Sequence, residues 1–159
     1  MLLMLNRKVS TALVGLVLLA CSTNCGWKSE ANLSAHFPFA HVEIDCGPTD
    51  NIALYFHFTA KPAECKKYEK PYISIMIDGY SPKTSPHDYS IGSKGSFVSA
   101  WRCMETGPCQ PATSGNLHTE KIEENKTALG ECELHFKDGS VEKGRFDATW
   151  CITPPLGCG

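Results

Sequence analysis

The stretch that decides the fold is IALYFHFT, residues 52–59. Its first, third, fifth and seventh residues are large and apolar, while the residues between them are smaller or carry a polar atom. Strict alternation of this kind predicts a β-strand with one buried face and one wet face. The same alternation recurs around residues 42–46, 73–77, 97–103, 117–122, 132–136 and 146–150, so the chain predicts about seven short strands.

Turn signals separate these runs, and no stretch has the spacing of an amphipathic helix. Asp138-Gly139 lies between the last two runs and predicts a hairpin, because glycine tolerates the positive φ of such turns. The pattern predicts an all-β, disulfide-stabilised domain: an antiparallel β-sandwich, with a small β-barrel as the alternative. Trp101 and Trp150 are expected to point inward and to supply much of the core area.

The N-terminus carries a second clear pattern. Arg7 and Lys8 precede a mostly apolar run from Val9 to Ala20, and Cys21 follows directly. This layout indicates an export signal, and the run is shorter than the about 20 residues that a membrane-spanning helix needs. Residues 18–21, LLAC, resemble the lipobox of bacterial lipoproteins, in which an apolar pair and a small residue precede a cysteine.

The resemblance implies that Cys21 becomes the first residue of the mature protein and carries acyl chains, such as palmitate, on its sulfur and its amine. It also implies that the membrane is a partner through those chains. Ser22 after the lipid-bearing cysteine implies the outer membrane of the cell envelope. We therefore expect a signal peptide over residues 1–20, a lipidated tether over 21–39 and a single β domain over 40–159. A secreted protein cleaved near Ala20 without lipid is the alternative.

Charge narrows the range of partners. The chain has 15 basic and 17 acidic side chains, and removing Arg7 and Lys8 with the signal leaves 13 against 17, a net charge of −4. Nucleic-acid binding rests on clustered Lys and Arg, so no nucleic-acid partner is expected. The chain also lacks a polybasic patch for anionic lipid, so membrane attachment must come from the acyl chains.

Nine cysteines indicate an oxidising compartment. With Cys21 acylated, eight remain as disulfide candidates: Cys25, Cys46, Cys65, Cys103, Cys109, Cys132, Cys151 and Cys158. The residues between Cys103 and Cys109 include a Gly-Pro turn, which predicts a loop-closing bridge. A redox-active pair is the competing reading of these two thiols, although active dithiols usually have C-x-x-C spacing at a helix N-terminus.

Longer bridges are expected at the edges of the domain. Cys46 ends one predicted strand and Cys151 ends the last, so these two pair if the first and last strands are neighbours. Cys25 and Cys158 flank the domain and are expected to join the tether to the tail. Cys132 has inward parity, which leaves it as either half of a buried bridge or a free core thiol.

The sequence carries no recognisable catalytic or metal-binding motif. No cysteine pair has C-x-x-C spacing and no His-x-His pair exists, so neither a metal nor a cofactor is expected. The serine elbow G-x-S-x-G and the phosphate-binding loop G-x-x-x-x-G-K-[ST] are also absent. His57 and His135 both have outward parity and would form a pair only if their strands were neighbours; isolated surface histidines are the simpler reading.

Three functional hypotheses follow. The first is a lipid-anchored, non-catalytic protein with a structural or interaction role at the cell envelope. The second is a glycan or small-molecule binding module, because several tyrosines lie at strand edges or in Pro-rich loops: Tyr55, Tyr72, Tyr80 and Tyr89. The third is a metal or thiol-redox enzyme that uses the two outward histidines or the Cys103–Cys109 pair.

Overall fold

The structure is a computed structural model that describes residue 33 and residues 36–81, 86–152 and 157–158. These residues form one sheet of eight strands: β1 Phe39–Cys46, β2 Ile52–Thr59, β3 Tyr72–Asp78, β4 His87–Ile91, β5 Val98–Cys103, β6 Gln110–Glu123, β7 Thr127–Phe136 and β8 Val141–Trp150. The all-β prediction is confirmed. Within the described ranges, no helix is long and apolar enough to span a bilayer.

Seven of the strands close into a barrel in the order β6-β5-β3-β2-β1-β8-β7, and the β6–β7 pairing completes the circle. Neighbours are antiparallel except β1 and β8, which pair in parallel at His41↔Thr149 and Val42↔Trp150. An odd number of strands in a closed meander must leave one such parallel pair. β4 lies outside the barrel and pairs with Gly115 to Thr119 of β6, along the edge of β6 that does not face β7.

The preferred sandwich prediction is therefore wrong, and the barrel alternative is confirmed. The physical reason lies in β6, which pairs with three strands and has register shifts between Ala112 and Ser114 and between Thr119 and Lys121. Such irregularities bend a strand and increase its twist, so one sheet can curl until its two edges meet. Nothing in the alternation pattern reports a bulge. The short polar strand β4 was not predicted either.

The barrel interior holds one continuous apolar core. Its largest fully buried side chains include Phe56, Phe58, Leu54, Ile73, Ile75, Leu117 and Leu134. Gly130 on β7 has no room for a side chain, because an added Cβ would lie 2.8 Å from the Phe146 ring and even closer to the carbonyl oxygen of His118. Leu33 and Phe37 are also buried in this core, so it includes part of the stretch expected as a tether.

The prediction of which β5 side chains point inward is wrong, whereas the inward position predicted for Trp150 is confirmed. Val98, Ala100 and Arg102 point inward, and Trp101 lies half-buried on the outer wall. Apolar residues occupy both parities around this strand, so alternation alone cannot choose the inner face. The inward position at the barrel end is instead filled by Arg102, whose charge is met by several partners.

Arg102 holds the β7–β8 hairpin against this end of the barrel. Its Nη2 donates to Asp138 Oδ2 at 2.6 Å and to Gln110 Oε1 at 3.0 Å, and its Nη1 donates to Ser140 Oγ at 2.6 Å. Its guanidinium carbon lies 4.2 Å from the centre of the Phe136 ring. Hydrogen bonds from the Ser140 hydroxyl and amide, with Arg102 contributing less, lower the pKa of Asp138 to about 2. The predicted Asp-Gly hairpin is confirmed.

Three disulfides join described cysteines: Cys46–Cys158, Cys65–Cys151 and Cys103–Cys109. The short bridge is the predicted one. The predicted pairing of Cys46 with Cys151 is wrong, because Cys151 is bonded to Cys65 of the β2–β3 loop and Cys46 is bonded to Cys158. The bond between Cys46 and Cys158 also excludes the predicted pairing of Cys25 with Cys158.

The other cysteine predictions concern Cys132 in the core and two cysteines near the N-terminus. Cys132 is a free thiol in the barrel core, and burial raises its pKa. The predicted signal peptide, the lipid-bearing Cys21 and Cys25 lie outside the described residues.

Candidate functional site

The outer wall formed by β1, β2, β3 and β5 carries a row of unusual side chains. Strand register places His41 opposite His57, His57 opposite Ser74, and Ser74 opposite Trp101. His57 and Ser74 are each only 8% exposed, although they point away from the core. An outer wall that is buried without being apolar needs a cover, and part of that cover is a loop.

The loop between β2 and β3, residues 60–71, supplies this cover. Cys65 fastens it to Cys151 just beyond β8. Tyr68 lies on His57, with ring centres 3.9 Å apart and planes 19° apart. Tyr55, on the same strand as His57, has its ring parallel to that of His57, with ring centres 6.0 Å apart. The three rings form a stack on the barrel wall.

Two adjoining cavities open around this stack. The aromatic cavity, of about 410 Å³, is lined by Tyr55, His57, Lys66, Tyr68, Tyr72, Ser74, Trp101 and the Cys103–Cys109 bridge. The acidic cavity, also about 410 Å³, is lined by Glu43, Asp45, Cys46, Tyr55, His57, Lys66 and Tyr68. Because they share Tyr55, His57, Lys66 and Tyr68, we treat them together as the outer-wall site.

Several buried polar atoms in and beside this site have no hydrogen-bond partner. Glu43 is 5% exposed, and its Oε1 lies 3.2 Å from His57 Nε2 without hydrogen-bond geometry. Glu43 Oε2, both ring nitrogens of His57 and Nδ1 of His41 have no hydrogen-bond partner. Burying such atoms unpaired costs free energy, so their presence calls for an explanation. Burial, and then the nearby His57, lower the pKa of His41.

Burial and nearby carboxylates both raise the pKa of two tyrosines of the site. Burial and then the charges of Asp45, Asp78 and Glu43 raise the pKa of Tyr55. Burial is also the main cause that raises the pKa of Tyr68, and the charge of Glu43 and its hydrogen bond with Tyr68 raise it further. Asp45 accepts hydrogen bonds from the Cys46 amide at 2.8 Å and from Lys66 Nζ at 3.1 Å. Burial opposes these bonds, but they prevail and lower the pKa of Asp45.

Only some of the candidate residues predicted from the sequence lie at the outer-wall site. Tyr55 and Tyr72 line the outer-wall site, whereas Tyr80 is 7% exposed within the core. Tyr89 on β4 packs against the core from outside. His57 and His135 lie on β2 and β7, which are not neighbours, so the histidine pair does not form. His135 instead contacts Glu133 on its own strand at 2.9 Å.

The sequence analysis missed several residues of the site, and three of them show why. Glu43 looked like an ordinary wet-face residue, Tyr68 lies in a loop without a strand pattern, and Trp101 was assigned to the interior. The nearby Cys65 was a usable signal for Tyr68, since a disulfide in a loop fixes the side chains around it. No comparable signal marks Glu43, whose burial depends on the loop that folds over it.

A larger cavity, of about 590 Å³, lies on the opposite wall between β4, β6, β7 and β8. Most of its charged groups pair with one another or with their neighbours: Asp88 with His118, Lys143 with Glu133, and Arg145 with Glu120. The hydrogen bond with Lys143 is the main cause that lowers the pKa of Glu133. Because these partners satisfy each other, this cavity is a weaker candidate than the outer-wall site.

Within the part of the chain that the structure describes, no group of three or more His, Cys, Asp or Glu side chains is placed to hold a metal ion. To a ligand the outer-wall site offers aromatic faces and a few polar groups. No protein-family model matches the chain, and no curated protein or solved structure shows significant similarity to it.

Proposed function

We propose that the protein is an exported, lipid-anchored and non-catalytic binding module, and that its outer-wall site binds a glycan of the cell envelope. The observation that carries this proposal is the aromatic cavity itself. Tyr55, Tyr72 and Trp101 come from three strands and line one cavity on a wall where a small barrel ordinarily presents scattered polar residues.

The chemistry of that lining suits a sugar. A pyranose ring has a face of C–H groups that packs against an aromatic ring, while its hydroxyl groups need hydrogen-bond partners around the edge. Aromatic side chains supply rigid contact area together with polar tips. Ser74 and Lys66 lie among the rings and provide polar atoms. A volume of about 410 Å³ falls within the range of ligand pockets in proteins.

Trp101→Ala is expected to weaken glycan binding by roughly tenfold or more, because it removes an aromatic face from the cavity. The measurement is calorimetric titration of the full chain, in mild detergent, with a panel of envelope oligosaccharides. Phe97→Ala is the matched control: Phe97 is 73% exposed and lines neither cavity of the site. Equal binding by Trp101→Ala and the unaltered protein would contradict the proposal.

The anchor is the second part of the proposal, and the disulfides support export because such bonds persist in oxidising compartments. Each buried methylene contributes about 0.8 kcal/mol to membrane attachment, so two or more acyl chains hold a protein stably. Cys21→Ala is expected to move the protein from the membrane fraction to the soluble fraction, and intact-mass spectrometry should show the loss of acyl mass. A variant that still fractionates with membranes would exclude the anchor.

A further inference from the structure

The tip of the β6–β7 hairpin carries a motif that the proposed function does not use. Residues 123–127 read EENKT, so a threonine follows Asn125 by two positions, as in the N-glycosylation sequon Asn-x-Ser/Thr. Glu123 lies two positions before Asn125. N-glycosylation enzymes of bacterial envelopes also read an acid at that position, where a cation of the enzyme can pair with it. We call residues 123–127 the acceptor segment.

The same five-residue pattern occurs a second time in the chain. Residues 30–34, EANLS, again place a glutamate two positions before the asparagine of a sequon. The sequence contains these two sequons, and both have the acid. Acidic residues occupy 17 of the 159 positions, about one in nine, so chance alone rarely supplies both. Asn32 lies outside the described residues, and the structural argument therefore concerns Asn125.

The folded barrel leaves room for a glycan at Asn125. This residue is exposed at the hairpin tip and has a left-handed backbone, with a φ of 61°. Asparagine tolerates that conformation, so the turn needs no other residue there. The Lys126 amide donates to the Glu123 carbonyl at 3.0 Å and closes the turn without the Asn125 side chain. A glycan on this side chain would extend into water and leave the hairpin intact.

The other two positions of the acceptor segment are occupied once the chain has folded. The Thr127 hydroxyl donates to Asp147 Oδ1 at 2.6 Å, and Glu123 pairs with Lys121 at 2.7 Å. An enzyme that reads the acid and the hydroxyl must therefore meet the segment before it is paired. Asp147 comes 20 positions after Thr127, so a chain exported from its N-terminus presents the acceptor segment before β8 arrives.

We propose that Asn125 is N-glycosylated during export, before β8 pairs with β7. The reaction joins Nδ2 of Asn125 to the anomeric carbon of an oligosaccharide carried on a lipid pyrophosphate. The bond from that carbon to the pyrophosphate oxygen breaks, the lipid pyrophosphate leaves, and one amide proton passes to a base of the enzyme. This inference rests on the export part of the proposed function, and it is independent of the acyl chains and of the outer-wall site.

Mass spectrometry of the full chain, purified from the organism in which it occurs, tests the modification. We expect a mass excess equal to a whole number of monosaccharides, separate from any acyl mass, and fragmentation should place it on Asn125. A chain that has lost residues 1–20 but has an unmodified Asn125 overturns the glycosylation and leaves export standing. A chain that keeps residues 1–20 and is unmodified overturns both.

Matched variants separate the acceptor segment from a folding defect. Asn125→Gly keeps the left-handed turn and is expected to lose the glycan completely. Thr127→Ala is expected to lose it as well, whereas Thr127→Ser, which keeps the hydroxyl, is expected to retain it. Glu123→Gln should lower the occupancy at least tenfold. Full occupancy in Glu123→Gln would overturn the role of the acid, and full occupancy in Thr127→Ala would overturn recognition of the sequon.

The timing is tested by the cysteine that follows β8. Cys151 is bonded to Cys65, so its oxidation reports that the end of β8 has reached the barrel. Newly made chains are labelled in a short pulse and their free thiols are then alkylated. We expect exported chains in which Cys151 is still alkylated to carry the glycan already. Chains that gain the glycan only after Cys151 is oxidised would overturn the proposed order.

Discussion

Replacement of Cys65 and Cys151 by alanine is expected to lower the free energy of unfolding by about 4 kcal/mol. The two cysteines are separated by 86 positions, so their bond removes a large amount of chain entropy from the unfolded state. Cys151 is fully buried, and alanine fills its place without adding a polar atom. Replacing both residues avoids a lone thiol that could attack one of the two remaining disulfides.

A matched control comes from the short bridge. Cys103 and Cys109 are six positions apart, and the same loop-closure relation gives about 2 kcal/mol for their removal. Urea unfolding followed by tryptophan fluorescence measures both variants. Equal losses for the long and the short bridge would show that unfolded-state entropy is not the dominant cause.

The long bridge also has a local role that stability measurements do not report. It holds the loop of residues 60–71 against the barrel, and with it the Tyr68 ring over His57. We expect backbone amides of this loop to exchange with solvent much faster in the Cys65→Ala/Cys151→Ala variant, under conditions where the barrel stays folded. Unchanged exchange in the loop would mean that packing of Tyr68 alone is sufficient to hold it.

Local patterns predicted the strands well but not how they close. The alternation at residues 52–59 became β2, with Leu54, Phe56 and Phe58 inside. Closure depends on β6, whose register shifts arise from its fit to β7 and are absent from its own alternation. The disulfide pairing followed the closed barrel, which brings the loop cysteine Cys65 to the end of β8, and so it could not be read from spacing.

The outer-wall site was beyond sequence analysis for a related reason. It consists of residues that lie side by side only because four strands are in a particular register, as in the row from His41 to Trp101. A shift of one residue in β5 would turn Trp101 into the core, which is what the sequence analysis expected. In the observed register of β5, Arg102 points inward and bonds to Asp138 and Ser140 of the β7–β8 hairpin. These partners are distant in sequence, so the register could not be predicted from β5 alone.

Arg102→Met is expected to lower the free energy of unfolding by about 3–5 kcal/mol, although the methionine side chain can still pack against Phe136. The main cause is Glu142, which is 9% exposed and lies 3.7 Å from Arg102 Nη1. Without the guanidinium its carboxylate stays buried with no cation beside it. Asp138 loses a partner as well, but its side chain is 48% exposed and is met by water.

A second substitution identifies that cause. Arg102→Met combined with Glu142→Gln removes the stranded charge, so we expect the double variant to recover more than half of the lost stability in urea unfolding. Arg145→Met is the control: Arg145 pairs with Glu120 on the surface, and such exposed pairs contribute about 0–1 kcal/mol. If the double variant is as unstable as Arg102→Met, the loss comes from the hydrogen bonds to the hairpin. Arg102 would then act as a clamp on residues 138–140, and Glu142 would contribute little to its role.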